Sequence, residues 1–416
     1  MALKGLSVWI GNEKVGLLAK ESQGVYAFGY HPGAAETVSL TMPVRVQGWA
    51  TRELLPIFQM NIPEGALLET IRNAISKIIG DDDLAILQAT GGNQVGRNRF
   101  ALPEEDQPEG KRQVESLNEI LTYPNTAELF HELVSRYALR SGVSGVQPKV
   151  LIEAEPRGTL AGEGYIVKSW GNEFPQLAAN EFFCMTAVKN AGLVVPDFFL
   201  SENGGLFVMC RFDRNPNDGF LGFEDMCSLQ AFGTKQKYSG TYERIAKSLT
   251  NYVSGENLPA ARRQFFATLV LSSMMKNGDA HLKNFGLLYP CSSGSVSIAP
   301  VYDVVTTTAY IKNDVPALSI EGSKKWWPRK VFVRFATNCL SLPEGETMTI
   351  FERCADAVME TRQAIPAYMK ESPSFQKIGE KMMAAWESGV ESLMPKKAIS
   401  VPTFDDGSGD GDGPRP

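Results

Sequence analysis

Short runs of period-two alternation dominate the first part of the chain. LSVWI (6–10) and GVYAFGY (24–30) flank the turn residues Gly11 and Asn12, and this predicts a hairpin. Apolar positions at helical spacing follow near 66–79, and GDDD (80–83) marks a boundary. ALPEEDQPEGKRQVE (101–115), charged and carrying two prolines, reads as a linker. NTAELFHELVSRYALR (125–140) returns to helical spacing with a cap at Asn125 or Thr126. SGVSGVQPKVLIEA (141–154) runs from a glycine-rich turn into a strand, and GYIVKSW (164–170) predicts another. AANEFFCMTAVKNAGL (178–193) predicts a helix ending at Gly192, before a third strand in GLFVMCRFDR (205–214). From about 224 onward the pattern is mainly helical. PAARRQFFATLVLSSMMKNG (259–278) starts with a proline at the first turn and ends on Asn277-Gly278 as a C-cap.

This order divides the chain into an α+β unit (1–105), a strand-rich part (116–223), a helical part (224–400) and a tail (401–416). The tail is too poor in apolar residues to pack. Its DDGSGDGDGPRP (405–416) echoes a calcium loop, but the chain ends before the bidentate glutamate such a loop needs. A length of 416 residues agrees with two or three subdomains. The net charge of −6 argues against nucleic-acid binding by bulk charge. One local exception is KKWWPRKVFVR (324–334), with five basic residues around Trp326 and Trp327; it fits a phosphate, an acidic partner or a plain helix face. Six cysteines without a CxxC pair, beside three histidines, argue against a zinc site and suit reduced thiols in the cytoplasm. There is no apolar run of 18 residues, and the N-terminus reads as strand and turn, so no membrane contact is expected.

The densest polar chemistry lies in NGDAHLKNFGLLYP (277–290), between an apolar helix and an apolar strand. Phosphoryl transfer asks for such a set: a carboxylate near the acceptor hydroxyl, an amide and a second carboxylate for Mg²⁺, and a lysine on the nucleotide phosphates. Asp279 and Asn284 stand five residues apart, as the base and metal ligand of a kinase catalytic loop do. Asp303, in PVYDVVTT, returns 19 residues later as a second metal carboxylate. Lys168 closes an apolar strand and needs a counter-charge if buried; Glu181 on the next helix is the candidate. The loop 141–149 has no GxxxxGK[ST] pattern, yet Gly142, Gly145 and Lys149 suit a phosphate cradle. Plainer readings stand beside these: an edge lysine, a solvated glutamate, an ordinary turn, a structural His281 and an exposed Lys283.

With SGVSGVQPKV, GYIVK, ANEFFCMTAVKNAGLVVP, VMCRFDR, NGDAHLKNFGLLY and APVYDVVTT, the chain resembles the HipA family of serine/threonine kinases, toxins of type II toxin–antitoxin modules. The first 100 residues resemble the family's small N-terminal domain. The resemblance implies an α+β, bilobal protein-kinase-like fold with a small N-terminal subdomain and a mainly helical C-terminal lobe. It implies ATP and Mg²⁺ as cofactors. Asp279 becomes the catalytic base, Lys168 a phosphate-binding and catalytic lysine, and Asn284 and Asp303 the metal ligands. Ser144, Gly145, Val146, Gln147 and Lys149 form the phosphate loop, Cys210, Arg211 and Phe212 the adenine hinge, and His281, Lys283 and Tyr302 further nucleotide contacts. The family phosphorylates a serine of its own phosphate loop. Its usual position falls here on Gly142, which leaves Ser144 as the preferred site and Ser141 displaced by one. The implied partners are a HipB-like helix-turn-helix antitoxin, which carries most DNA contact, and a protein substrate of the aminoacyl-tRNA synthetase kind. Two other classes remain open at this stage: a small-molecule phosphotransferase, and a non-catalytic co-repressor acting with the antitoxin.

Overall fold

The computed structural model describes residues 5–21, 24–105, 114–155, 163–214 and 219–394. The expected tail and most of the expected linker lie outside these. The first sheet is antiparallel, with strands β1 (Gly5–Ile10), β2 (Glu13–Lys20), β3 (Tyr26–Tyr30), β4 (Trp49–Thr51) and β5 (Asn98–Ala101) in the order β4-β3-β2-β1-β5. The Gly11-Asn12 turn therefore joins β1 to EKVGLLAK, and YAFGY is the third strand rather than the hairpin partner. Gly16 breaks the local strand signal of β2. It is required by packing, because a Cβ there would lie 2.8 Å from the Phe28 ring. Helix Asp83–Thr90, capped by the Asp82 side chain, packs on β1 and β5, and helix Gly65–Ile75 packs against it.

The second sheet runs β6 (Val114–Ser116), β7 (Lys149–Glu155), β8 (Glu163–Lys168), β10 (Phe207–Cys210) and β9 (Phe198–Leu200) in spatial order. Helix Leu177–Asn190 packs beside it. The C-terminal lobe centres on helix Leu258–Met274, buried on nearly every side, with Phe265 and Phe266 fully inaccessible. Each such ring contributes about 1.5–3 kcal/mol of burial. Helix Gln376–Leu393 crosses its end so closely that a Cβ on Gly389 would collide with the Met274 carbonyl. The expected Asn277-Gly278 cap is corrected here. The helix stops at Met274, and the left-handed residue is Lys276 (φ 55°). Thr307 Oγ1, accepting from the Gly278 N–H, ties down the chain that follows. The C-terminal part also holds a small sheet: β11 (Gly222–Asp225), β12 (Gly286–Tyr289) and β13 (Ser297–Ile298). Trp326 and Trp327 precede helix Arg329–Leu340 rather than riding on it, and Trp327 packs edge-on against Tyr242 and Phe332.

The N-terminal unit is bonded to β11 through Glu224. Its carboxylate accepts from Ser39 Oγ (2.7 Å), Leu40 N–H (2.6 Å) and Tyr289 OH (2.8 Å). Burial pushes this carboxyl up to about 7 from an ordinary value of 4.5. Between those values the folded state holds a proton that the unfolded chain has lost. The contribution is therefore complete below about 4.5 and disappears as pH rises through 7. It is worth on the order of 3 kcal/mol. Wild type should lose melting temperature between pH 5 and pH 8 relative to Glu224→Gln, whose amide does not ionise. Parallel melting curves for the two would count against the assignment.

Candidate active site

The β7–β8 register sets the site's charge. Lys149 and Lys168 are direct cross-strand partners, and both are buried. Two like charges opposed in this way repel, so their burial needs carboxylates or a bound anion. The Lys168 ammonium donates to Glu181 at 2.5 Å and to the Asp303 carboxylate. Burial works to lower the Lys168 pKa, but Asp303 and Glu181 raise it above its ordinary value. Burial alone would raise the Asp303 carboxyl, yet Lys168 and Lys149 hold it well below the usual range. Glu181, enclosed and beside Asp303, is pushed up. Lys149 is pulled down by burial, with Lys168 adding to the effect. Asp303 sits on left-handed backbone (φ 56°), and its side chain keeps 29% exposure, against 2% for Lys168. It thus presents an ionised carboxylate to the open space.

That space is a cavity of about 1100 Å³, a size that suits a nucleotide. Ser144, Gly145, Val146, Gln147 and Lys149 line one wall, and Asp279, His281, Lys283, Asn284, Tyr302 and Asp303 line the other. Gly145 has φ 128°, and a Cβ there would stand 2.4 Å from Lys149 Nζ, so the loop requires glycine. Tyr302 stacks on Phe212 (5.2 Å between ring centroids) and donates from its hydroxyl to the Lys283 carbonyl. Together with Met209 and Phe223 these rings make an apolar end that suits a purine face.

The polar loop follows helix Leu258–Met274 as irregular chain. Asp279 Oδ1 accepts from Tyr238 OH (2.7 Å), and its backbone N–H donates to Asn277 Oδ1. Asn284 Oδ1 accepts from the His281 N–H (3.1 Å), which leaves a lone pair on that oxygen. His281 is buried against Tyr238, and its Nδ1 is without a hydrogen-bond partner. Burial lowers its pKa. Lys283 is not free: it donates to the Met60 carbonyl and to Asp225, both at 2.9 Å.

Among the sequence candidates for the cavity, four do not line it: Ser141, Gly142, Cys210 and Arg211. Arg211 faces away, buried on Asp213, Asn93 Oδ1 and the Gln94 carbonyl. Cys210 also lies outside the lining, and the N–H groups of Cys210 and Arg211 are bonded to the Asp197 and Gly164 carbonyls. A hinge of Cys210 to Phe212 therefore reduces to Phe212. Ser141 is fully buried; its hydroxyl donates to the Tyr137 carbonyl and accepts from the Leu151 N–H. That bonding makes it a brace of the loop stem rather than an acceptor of phosphate. Conversely, Glu64, Asp225, Lys237 and Tyr238 line the cavity although nothing in their local sequence marks them.

Hard oxygen donors are the chemistry of the Asn284 and Asp303 pair, and Mg²⁺ takes only one or two protein ligands when phosphate oxygens supply others. The exposed, ionised Asp303 and the half-used Asn284 oxygen fit that ion. Among the described residues no cluster of three or more His, Cys, Asp or Glu offers a closed metal cage.

A two-lobed α+β fold with its cleft between the lobes is that of the protein-kinase-like class. Within that class, the chain belongs to the HipA family: residues 141–362 match the HipA-like C-terminal domain, and residues 6–101 the HipA N-terminal domain. A Haemophilus influenzae protein named "Putative kinase" is 32% identical over 187 residues, covering 40% of this chain and 53% of that one. Two Sinorhizobium fredii proteins of the same designation are similar. Y4dM is 31% identical over 45% of this chain and 50% of its own length, and Y4mE 28% over 74% and 79%. The chain thus spans about half the length of the first two relatives. In fold it is similar to HipA of Shewanella oneidensis MR-1, solved with HipB and operator DNA: TM-score 0.69, 19% identity, covering 93% of this chain and 97% of that one.

Proposed function

We propose that this protein is an ATP- and Mg-dependent serine/threonine protein kinase, acting in the cytoplasm as the toxin of a toxin–antitoxin module. One observation carries the reading: two buried lysines, Lys149 and Lys168, face each other across β7 and β8 at the floor of a cavity that also presents Asp279, Asn284 and Asp303. A triphosphate would add its own negative charge to that of Glu181 and Asp303 opposite the two lysines. Lys149, Lys168 and the backbone of 144–147 receive the phosphates, and Phe212 and Tyr302 flank the base. Asn284 and Asp303 would hold Mg²⁺, which when bound neutralises charge on the phosphate oxygens. Asp279 orients the acceptor hydroxyl and takes its proton as the new O–P bond forms. Lys283, held by Asp225 and the Met60 carbonyl, lines the same wall as Asp279.

The Shewanella protein was solved with HipB and operator DNA. By extension, the partner here is a HipB-like helix-turn-helix antitoxin, and DNA contact runs through it. The substrate is a translation component of the aminoacyl-tRNA synthetase kind. No helix among the described residues is long and apolar enough to cross a membrane. Ser144, half-exposed on the loop, is the site of autophosphorylation.

Incubation of the purified chain with Mg-ATP, with and without EDTA, followed by intact and peptide mass, tests this reading. The expected result is one added phosphate on 141–149, lost with EDTA. Absence of both ATP binding and added mass would overturn it.

A further inference from the structure

The phosphate loop is not held by the kinase lobes alone. Ser144 Oγ donates to Glu64 Oε1 at 2.6 Å, and Lys237 Nζ donates to Glu64 Oε2 at 2.9 Å. Glu64 belongs to the N-terminal unit, Ser144 to the loop before β7, and Lys237 to the C-terminal lobe. One carboxylate thus joins three parts of the chain, with a different oxygen for each partner. Burial would raise its pKa, but the Ser144 and Lys237 bonds hold it below the ordinary value, so it is ionised at neutral pH.

Neighbouring contacts place the same loop against the N-terminal unit. Gly65 adopts φ 57°, and a Cβ there would come within 3.0 Å of the Val146 carbonyl, so the loop tip rests directly on the backbone after Glu64. At the stem, Gln94 bridges Gly142: the Gly142 N–H donates to the Asn93 carbonyl (3.0 Å) and the Val95 N–H to the Gly142 carbonyl (3.2 Å). The stem is therefore fixed by backbone bonds, and the tip by two side-chain contacts: Ser144 on the Glu64 carboxylate, and Gln147, whose Nε2 donates to the Ser169 carbonyl at 3.2 Å. Glu64 also lines the cavity, on the side of Ser144 and Gly145.

We propose that Glu64 is a positioning residue for the nucleotide: the N-terminal unit, through this carboxylate, holds the tip of the phosphate loop in its phosphate-receiving place. The inference rests on the kinase reading above and adds a role for the N-terminal unit in the active site itself. A glycine-rich loop with free amides is mobile by composition. Holding it before ATP arrives lowers the ordering cost of binding, so loss of Glu64 weakens nucleotide affinity more than it weakens the fold.

The test uses the full chain as wild type, Glu64→Gln, Glu64→Ala, Ser144→Ala and the Glu64→Ala/Ser144→Ala pair. Two quantities are read: hydrogen exchange of the 143–147 amides, and calorimetric affinity for a non-hydrolysable ATP analogue with Mg²⁺. Glu64→Ala should speed exchange in the loop alone and weaken affinity about 10-fold, the scale of one charge-assisted hydrogen bond. Glu64→Gln should fall between, because its amide oxygen still accepts from Ser144 while the charge facing Lys237 is gone. The pair should be no weaker than Glu64→Ala, since Glu64→Ala already removes the one contact that Ser144→Ala removes. Unchanged exchange and affinity in Glu64→Ala, or full additivity in the pair, would overturn the proposal. A wild-type chain that binds no nucleotide would overturn the kinase reading, and with it the nucleotide role of Glu64, whereas nucleotide binding indifferent to Glu64 would overturn only the latter.

Discussion

Asp279→Asn is expected to reduce phosphoryl transfer by roughly 10²–10⁴-fold, the usual contribution of a positioned general base, while ATP affinity stays within about 2-fold. The split follows from where Asp279 sits. It is on the irregular chain after helix Leu258–Met274, whereas Lys149 and Lys168, which would hold the phosphates, are on β7 and β8. An asparagine there keeps an oxygen able to accept from Tyr238 OH, so the local fold survives. What it loses is the ability to take a proton. Phosphate incorporation measured as a rate, beside ATP affinity by calorimetry, checks both halves. A rate near wild type would remove Asp279 from the role of base. A parallel loss of affinity would place it with the phosphate ligands instead.

The difference between what local sequence showed and what it hid is one of distance along the chain. Lys168 and Glu181 are 13 residues apart, on a strand and the helix after it. An apolar strand ending in lysine, followed by a helix with a glutamate on its inner side, already states the need for a counter-charge. The Asp279–Asn284 spacing is likewise internal to one loop. Glu64 meets Ser144 across 80 residues and Lys237 across 173, and Pro-Glu-Gly in isolation reads as a solvated turn. Tyr238 reaches Asp279 across 41 residues. No periodicity encodes such pairs; they arise only when the N-terminal unit and the C-terminal lobe close on the loop. Arg211 belongs to the hinge only by the family resemblance; its guanidinium is held by Asp213, two residues on, and by Asn93 and Gln94, 118 and 117 residues away, and those distant partners are what local sequence does not show. The helix after 258 stops at Met274 for a local reason: Lys276 turns left-handed and the Asn277 N–H returns to the Ser272 carbonyl.

Lys168→Met carries the second large effect, and it divides structure from function. Removing the ammonium leaves Glu181 and Asp303 facing each other in a buried site, with Lys149 as the remaining cation. Breaking a buried pair on one side costs about 3–5 kcal/mol. Glu181, already pushed up by burial, takes a proton and holds the loss toward the lower end. The denaturation midpoint in urea should therefore fall, and fall more at high pH than at low. Adding Glu181→Leu should recover most of that stability, because an apolar pair fills the space without an uncompensated charge. Nucleotide affinity should not return with it, since the phosphates would still lack one of their two opposed lysines. Full recovery of affinity in the double variant would mean that Lys168 serves only to neutralise Glu181, and that Lys149 alone meets the phosphates. Stability unchanged in the single variant would mean that the cluster is open to water. Recovery of stability without recovery of binding is the outcome that assigns Lys168 both tasks: counter-charge in the folded chain, and phosphate ligand in the complex.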